Sequence, residues 1–175
     1  MNLEQISLVS QIVSAAGMIA SLIFVGFQIR QNTGVSRAQI REHIISDWAS
    51  VAGILSANPK VFATGIAGTE AEYNAFSNDD KFMFMTQAFM IFKHYENMFL
   101  QYKAGFLDDE TWAAWSTHIL MYFHQRGIKT WWSERSLAFT PKFRAFLEAS
   151  EPPPMLSQVD LFLRKTKDAL AADAR

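Results

Sequence analysis

Cysteine is absent from this chain. Neither a disulfide framework nor a thiolate metal site can therefore form, and cysteine usage says nothing of the redox compartment. Glycine and proline are scarce, eight and five in 175 residues, too few for a turn-rich β fold. The signatures of common chemistry are missing too: no Gly-x-Ser-x-Gly, no phosphate loop and no dinucleotide fingerprint. The four histidines, His43, His94, His118 and His124, make neither a His-Glu-x-x-His pair nor a Glu-x-x-His pair of the di-iron kind. No cofactor, metal or catalytic residue is expected from motifs. A net charge of −1 gives no overall pull toward nucleic acid, which is not an expected partner.

What the chain has in abundance is apolar and aromatic surface, with 15 Phe, 5 Trp and 8 Met in a sequence that is 50% hydrophobic. Such composition points to packed helices around one core, and a domain of roughly 100–120 residues is large enough to bury one. Residues Ile6 to Ile29 form a run of 24 without a charge, and about 20 apolar residues span a bilayer. A signal peptide fits this segment poorly: Glu4 is the one charge before the run, and no small-x-small cleavage site follows before Arg30. The expectation is a retained transmembrane anchor over residues 1–33. Arg30, Arg37 and Arg41 on its C-terminal flank place the rest of the chain in the cytoplasm, with the anchor in a bacterial inner membrane. The competing reading is a core helix of a soluble protein. Ser7, Ser10, Ser14, Gly17 and Ser21 recur every three or four residues and so share one helix face. In lipid a small, weakly polar seam favours contact with another membrane helix, either a second copy or a membrane-protein partner.

Beyond the anchor the pattern predicts an all-α domain over 34–150, a compact bundle of about five helices. Its first helix, Val35 to Ala57, carries an apolar stripe and ends at Pro59. Gln31, Asn32, Thr33 and Gly34 are poor helix formers, so a kink or break threatens there, although a nearly continuous helix is favoured. Residues Ala63 to Phe76 read as a loop with one short helix. Lys81 to Lys103 is apolar nearly all round and predicts a central helix covered on several sides, closed by Gly105. The next helix opens at Asp108 and is expected to stop at Gly127. A short helix through Trp131 and Trp132 follows, then one over Lys142 to Ala149 started by Thr140-Pro141. Residues 151–175 combine a stiff spacer, Pro152 to Pro154, with an amphipathic helix whose apolar side holds Val159, Phe162, Leu163 and Leu170.

Several local motifs together resemble an uncharacterised bacterial family of small, single-pass, membrane-anchored helical proteins. They are Ile29-Arg30-Gln31-Asn32-Thr33 at the anchor's end, Tyr95-Glu96-Asn97 with Gln101-Tyr102, Gly105 to Glu110, Trp112 and Trp115, Trp131-Trp132 with Arg135, and Phe139 to Phe146. The likeness covers the chain to about residue 150, implies the anchored helical architecture, and implies no reaction. Gly34 stands where a larger residue looks more usual in the family.

Glu96 is the acid of most interest, because a carboxylate inside an apolar helix needs a partner to stay charged. Arg135 and Arg144 are the expected partners in a structural ion pair. Alternatively Glu96 is a general base with a raised pKa, helped by His94 or Tyr95. Gln87, His94 and Gln101, seven residues apart, form a polar line that either edges a cleft or is a less buried stripe. Trp112, Trp115, Trp131 and Trp132 are read as core, or else as a stacking platform with nearby cations. Charge is uneven: residues 61–110 hold three Lys and eight acids, and residues 126–144 hold five Lys or Arg and one Glu. These two segments are expected to face each other, or the basic one to bind lipid headgroups. The leading functional expectation is a membrane-anchored interaction or assembly module that self-associates. The alternatives are a small-molecule sensor or enzyme with a pocket around Glu96 and the tryptophans, and a binder of membrane lipid headgroups.

Overall fold

The computed structural model describes residues 3–172, in which eight α-helices and one 3-10 turn occur and no strand. Within 34–150 the end of the first helix and six further α-helices occur, where about five helices were expected. The chain divides into two units, Met1–Arg41 and Glu42–Arg175.

The first unit consists of one helical stretch, the beginning of α1 (Leu3–Ala57). The weak formers Gln31 to Gly34 stay helical, and the Thr33 hydroxyl donates to the Ile29 carbonyl at 2.8 Å. That bond occupies the side chain within the helix, so it opens no competing turn. The helix contains an 18-residue window of mean hydropathy 2.1, none of it buried. Ile12, Met18 and Phe24 are all more than 60% exposed. Ser7, Ser10, Ser14, Gly17 and Ser21 are exposed as well, and a Cβ added at Gly17 would meet nothing within 4 Å.

The second unit begins with the rest of α1, where Ile44 and Val51 are buried. Residues 63–76, expected to be mostly loop, are largely helical, in α2 (Pro59–Ala67) and α3 (Glu70–Asn74). Pro59 occupies the first turn of α2, where its missing N–H costs nothing. A capping box holds α3: the Glu72 amide donates to Thr69 Oγ1 at 3.2 Å and the Thr69 amide donates back to the Glu72 carboxylate at 2.7 Å. The next helix, α4 (Asn78–Lys103), starts at Ser77, whose hydroxyl accepts from the Asp80 amide at 3.1 Å. Gly105 follows with φ +77°, the left-handed conformation expected of a helix-closing glycine.

Asp108 caps α5 (Asp109–Phe123) by accepting from the Thr111 amide at 2.7 Å. Gly127 does not stop this helix: α5 ends at Phe123, and Gly127 lies in the first turn of α6 (Arg126–Arg135). Its role is a close crossing. A Cβ at Gly127 would overlap the Gly65 carbonyl of α2, and one at Gly65 would overlap the Phe84 ring of α4. After the 3-10 turn Ser136–Ala138 comes α7 (Pro141–Glu148), then α8 (Leu156–Ala172). This last helix docks on α2. Leu163 and Leu170 are half-buried there, but Phe162 is 65% exposed, contrary to its expected place, and the Val159 side chain lies outside the described residues.

The core gathers around α4, which packs against α2, α5, α6 and α7. Phe84, Ile91, Phe92, Tyr95 and Met98 of α4 are wholly buried with Ile66, Ile119, Ile128, Phe143 and Leu147 from those neighbours. Coverage is not complete. Phe82 is 72% exposed and Phe89 39%, so one side of the central helix is open.

Candidate functional site

The residues singled out from the sequence do not share one pocket. They separate into a carboxylate lock, an imidazole–aromatic cluster and core aromatics.

Glu96 sits in the C-terminal half of α4 and is 5% exposed. Its partners are neither Arg135 nor Arg144. Lys93, one turn earlier, donates to one carboxylate oxygen at 2.7 Å, and the Thr140 backbone N–H donates to the other at 2.6 Å. Lys93 also donates to the Ala138 carbonyl at 2.7 Å and lies 4.5 Å from the centre of the Phe139 ring. The assembly ties α4 to the start of α7, where Thr140 supplies no side-chain cap of its own. Burial pushes the Glu96 carboxyl up, but the Lys93 ammonium and the Thr140 hydrogen bonds outweigh it and hold the pKa below the usual 4.5. A general base of raised pKa is the opposite arrangement. Arg135 instead reaches the Met85 sulfur at 3.9 Å, and Arg144 keeps a buried Nε without a hydrogen-bond partner.

His94 and Tyr95 face a different set of neighbours. Trp48 of α1 lies 5.7 Å from the His94 ring, 6.1 Å from Tyr95, 5.9 Å from Trp115 and 5.5 Å from His118. Tyr122 completes the group 5.0 Å from His118. Here six rings from α1, α4 and α5 meet. His94 Nε2, His118 Nε2 and the Tyr95 hydroxyl are buried without a hydrogen-bond partner. Burial lowers the pKa of both histidines, offset in part at His94 by Asp47, and raises the Tyr95 phenol well above its usual value. Burial thus favours the neutral form of both imidazoles. Helical period places Trp48 on the apolar stripe of Val35 to Ala57, but sequence reading did not single out Trp48, His118 or Tyr122 as members of a site.

The remaining tryptophans are packing residues. Trp112 stacks on Tyr102 at 4.8 Å and meets Phe146 at 5.5 Å. Trp131 and Trp132 pack on Phe92 and Phe139 and are 2% and 5% exposed. No stacking platform is left on them. The acidic and basic segments do face each other, since α2 packs against α6, and α4 against α6 and α7, but the close ion pairs among the described residues do not join them: Lys93 binds Glu96, and Lys167 of α8 binds Glu72 at 2.6 Å. Of the polar line along α4, Gln87 is 1% exposed and His94 7%, so it is no exposed stripe. Gln87 borders a hollow on the open side of α4, with both amide atoms unpartnered.

Among the described residues no three of His, Cys, Asp and Glu come together as metal ligands. No protein-family model matches the chain, and no curated protein and no solved structure is detectably similar to it.

Proposed function

We propose that the protein is a membrane-anchored helical interaction module, held in the bilayer by the N-terminal part of α1 and presenting its second unit to partners in the cytoplasm. One observation carries this reading: an apolar helix window of 18 residues, none of which is buried. Soluble proteins rarely leave so large an apolar surface in water, and a helix satisfies all its backbone hydrogen bonds internally, as lipid requires. Arg30, Arg37 and Arg41 beyond the span favour a cytoplasmic second unit. The exposed seam of Ser7, Ser10, Ser14, Gly17 and Ser21 supports pairing of the anchor with a second copy or another membrane helix. The motif resemblance to small anchored proteins belongs to the same reading. Nothing in the geometry around Glu96 favours catalysis, because its carboxylate is engaged on both oxygens.

The absence of native cysteine makes the test direct. A Ser133→Cys variant carries a single thiol at an exposed position of the second unit. In intact bacteria a membrane-impermeant maleimide should leave it unlabelled, with labelling appearing after the inner membrane is opened, and the protein should stay in the membrane pellet at alkaline pH. Recovery in the soluble fraction without detergent would sink the anchor, and labelling of intact cells would reverse the orientation.

A further inference from the structure

The part of α1 that belongs to the second unit touches the rest of it along one narrow face. Ile44 and Val51 are buried there and Trp48 is half-buried, while every other residue from Glu42 to Ser50 is exposed. Helix α4 packs against α2, α5, α6 and α7 as well, so those contacts survive if α1 leaves. Trp48 meets His94 at 5.7 Å and Tyr95 at 6.1 Å on α4, and Trp115 at 5.9 Å and His118 at 5.5 Å on α5. Two of these four rings are imidazoles, the side chains whose charge changes nearest neutral pH. His94 Nε2 and His118 Nε2 are both buried without a hydrogen-bond partner. A protonated imidazole donates from both ring nitrogens, so charging either ring in place would bury a cationic N–H that nothing accepts.

We propose that this cluster is an acid-sensitive latch: protonation of His94 or His118 releases the 42–57 segment of α1 from α4 and α5, while the core built around α4 stays folded. The surrounding groups set the sign. On α1 the Asp47 carboxylate favours the charged form of His94, but burial outweighs it, and burial is the cause acting on His118. Tyr95 of α4 and Tyr122 of α5 are kept neutral by burial and supply no counter-charge. Ring faces attract a cation, less than the loss of its hydration repels it. Well above pH 6.5 the imidazoles are neutral whether covered or released, and the latch is closed. Below 6.5 the released rings take protons that the covered ones reject, and each raises the open-to-closed ratio by at most about tenfold per pH unit. All the participants lie in the second unit, so the latch is independent of a membrane anchor.

The absence of native cysteine permits the test in the full-length protein, in detergent micelles and diluted with unlabelled chain. Spin labels at Ala49→Cys on α1 and Ala114→Cys on α5, both exposed positions, report their separation by pulsed electron resonance. Labels at Ala114→Cys and at the exposed Ala145→Cys on α7 report the core. From pH 7.5 to 5.5 the first pair should gain a longer-distance population, the open-to-closed ratio rising several-fold and by no more than about 100-fold for two imidazoles. Neutralisation should reverse it, and the second pair should not change. His94→Phe combined with His118→Phe keeps a ring at each position and removes the proton acceptor, so the response should vanish. The proposal is overturned if the first pair keeps its distance at pH 5.5, if both pairs change together, as whole-unit unfolding would make them, or if the double phenylalanine variant responds like its parent. The labelled parent decides the first two outcomes even if the variant fails to fold.

Discussion

The Glu96 carboxylate joins a central helix to a helix start 44 residues later through the Thr140 amide. Glu96→Gln keeps the shape but places an amide where two donors converge, so one donor faces another. The expected loss is about 1–3 kcal/mol of folding stability, read from urea unfolding followed by tryptophan fluorescence. An unchanged midpoint would show that the lock does not stabilise the native state. Imidazole burial gives a second residue-scale expectation. His94 and His118 have folded pKa values below the ordinary 6.5, so between the two values the unfolded chain binds more protons than the native one. Their contribution is complete above 6.5 and is lost as pH falls below it. Unfolding at pH 7 and pH 5 should therefore show lower stability at pH 5, with a smaller difference in His118→Gln. Carboxylates act lower: Glu72, held at about 2 first by the Lys167 hydrogen bond, contributes stability that is lost only as pH falls from 4.5 toward 2.

Helix ends and helix crossings follow different rules. Ser77, Thr69 and Asp108 hold helix N-termini through side chains within three residues of the amides they serve, and such short-range chemistry is legible in sequence. Gly127 misleads the same procedure. Read as a stop for α5, it instead lets α6 approach α2, with Gly65 on the facing backbone. The two glycines are 62 residues apart, and no local pattern pairs them. Gly127→Ala should cost upward of about 1–3 kcal/mol as overpacking against an immovable carbonyl, although alanine is the better helix former. A variant as stable as the parent, by thermal unfolding, would mean that the crossing opens easily. Apolar period predicted that α4 is covered on several sides, as it is by α2, α5, α6 and α7, and the exposure of Phe82 shows which side is left open.

At the scale of the molecule, an exposed apolar helix and a second unit with its own core coexist in one chain. If the small-residue seam pairs anchors, Gly17→Leu should convert a detergent-solubilised oligomer to a smaller species, measured by light scattering with the detergent mass subtracted. Close helix approach in lipid needs small side chains, and leucine removes that approach without reducing hydrophobicity. A monomer before and after substitution would leave the seam without a self-association role.

By itself, the amino-acid order determined the helical class, the long apolar N-terminal segment, most caps, and the burial of Trp131, Trp132 and the Tyr95 region. Each depends on composition or on interactions within a turn or two, where neighbours in sequence are neighbours in space. Tertiary structure alone decided that Thr140 rather than an arginine meets Glu96 alongside Lys93, that Trp48 meets both His94 and His118, that glycines 65 and 127 touch, and that Gln87 is buried beside a hollow. These outcomes arise where helices distant in sequence pack together, and side chains of equal charge or polarity compete for one partner. Proximity and desolvation settle that competition, and neither is encoded at a fixed spacing along the chain.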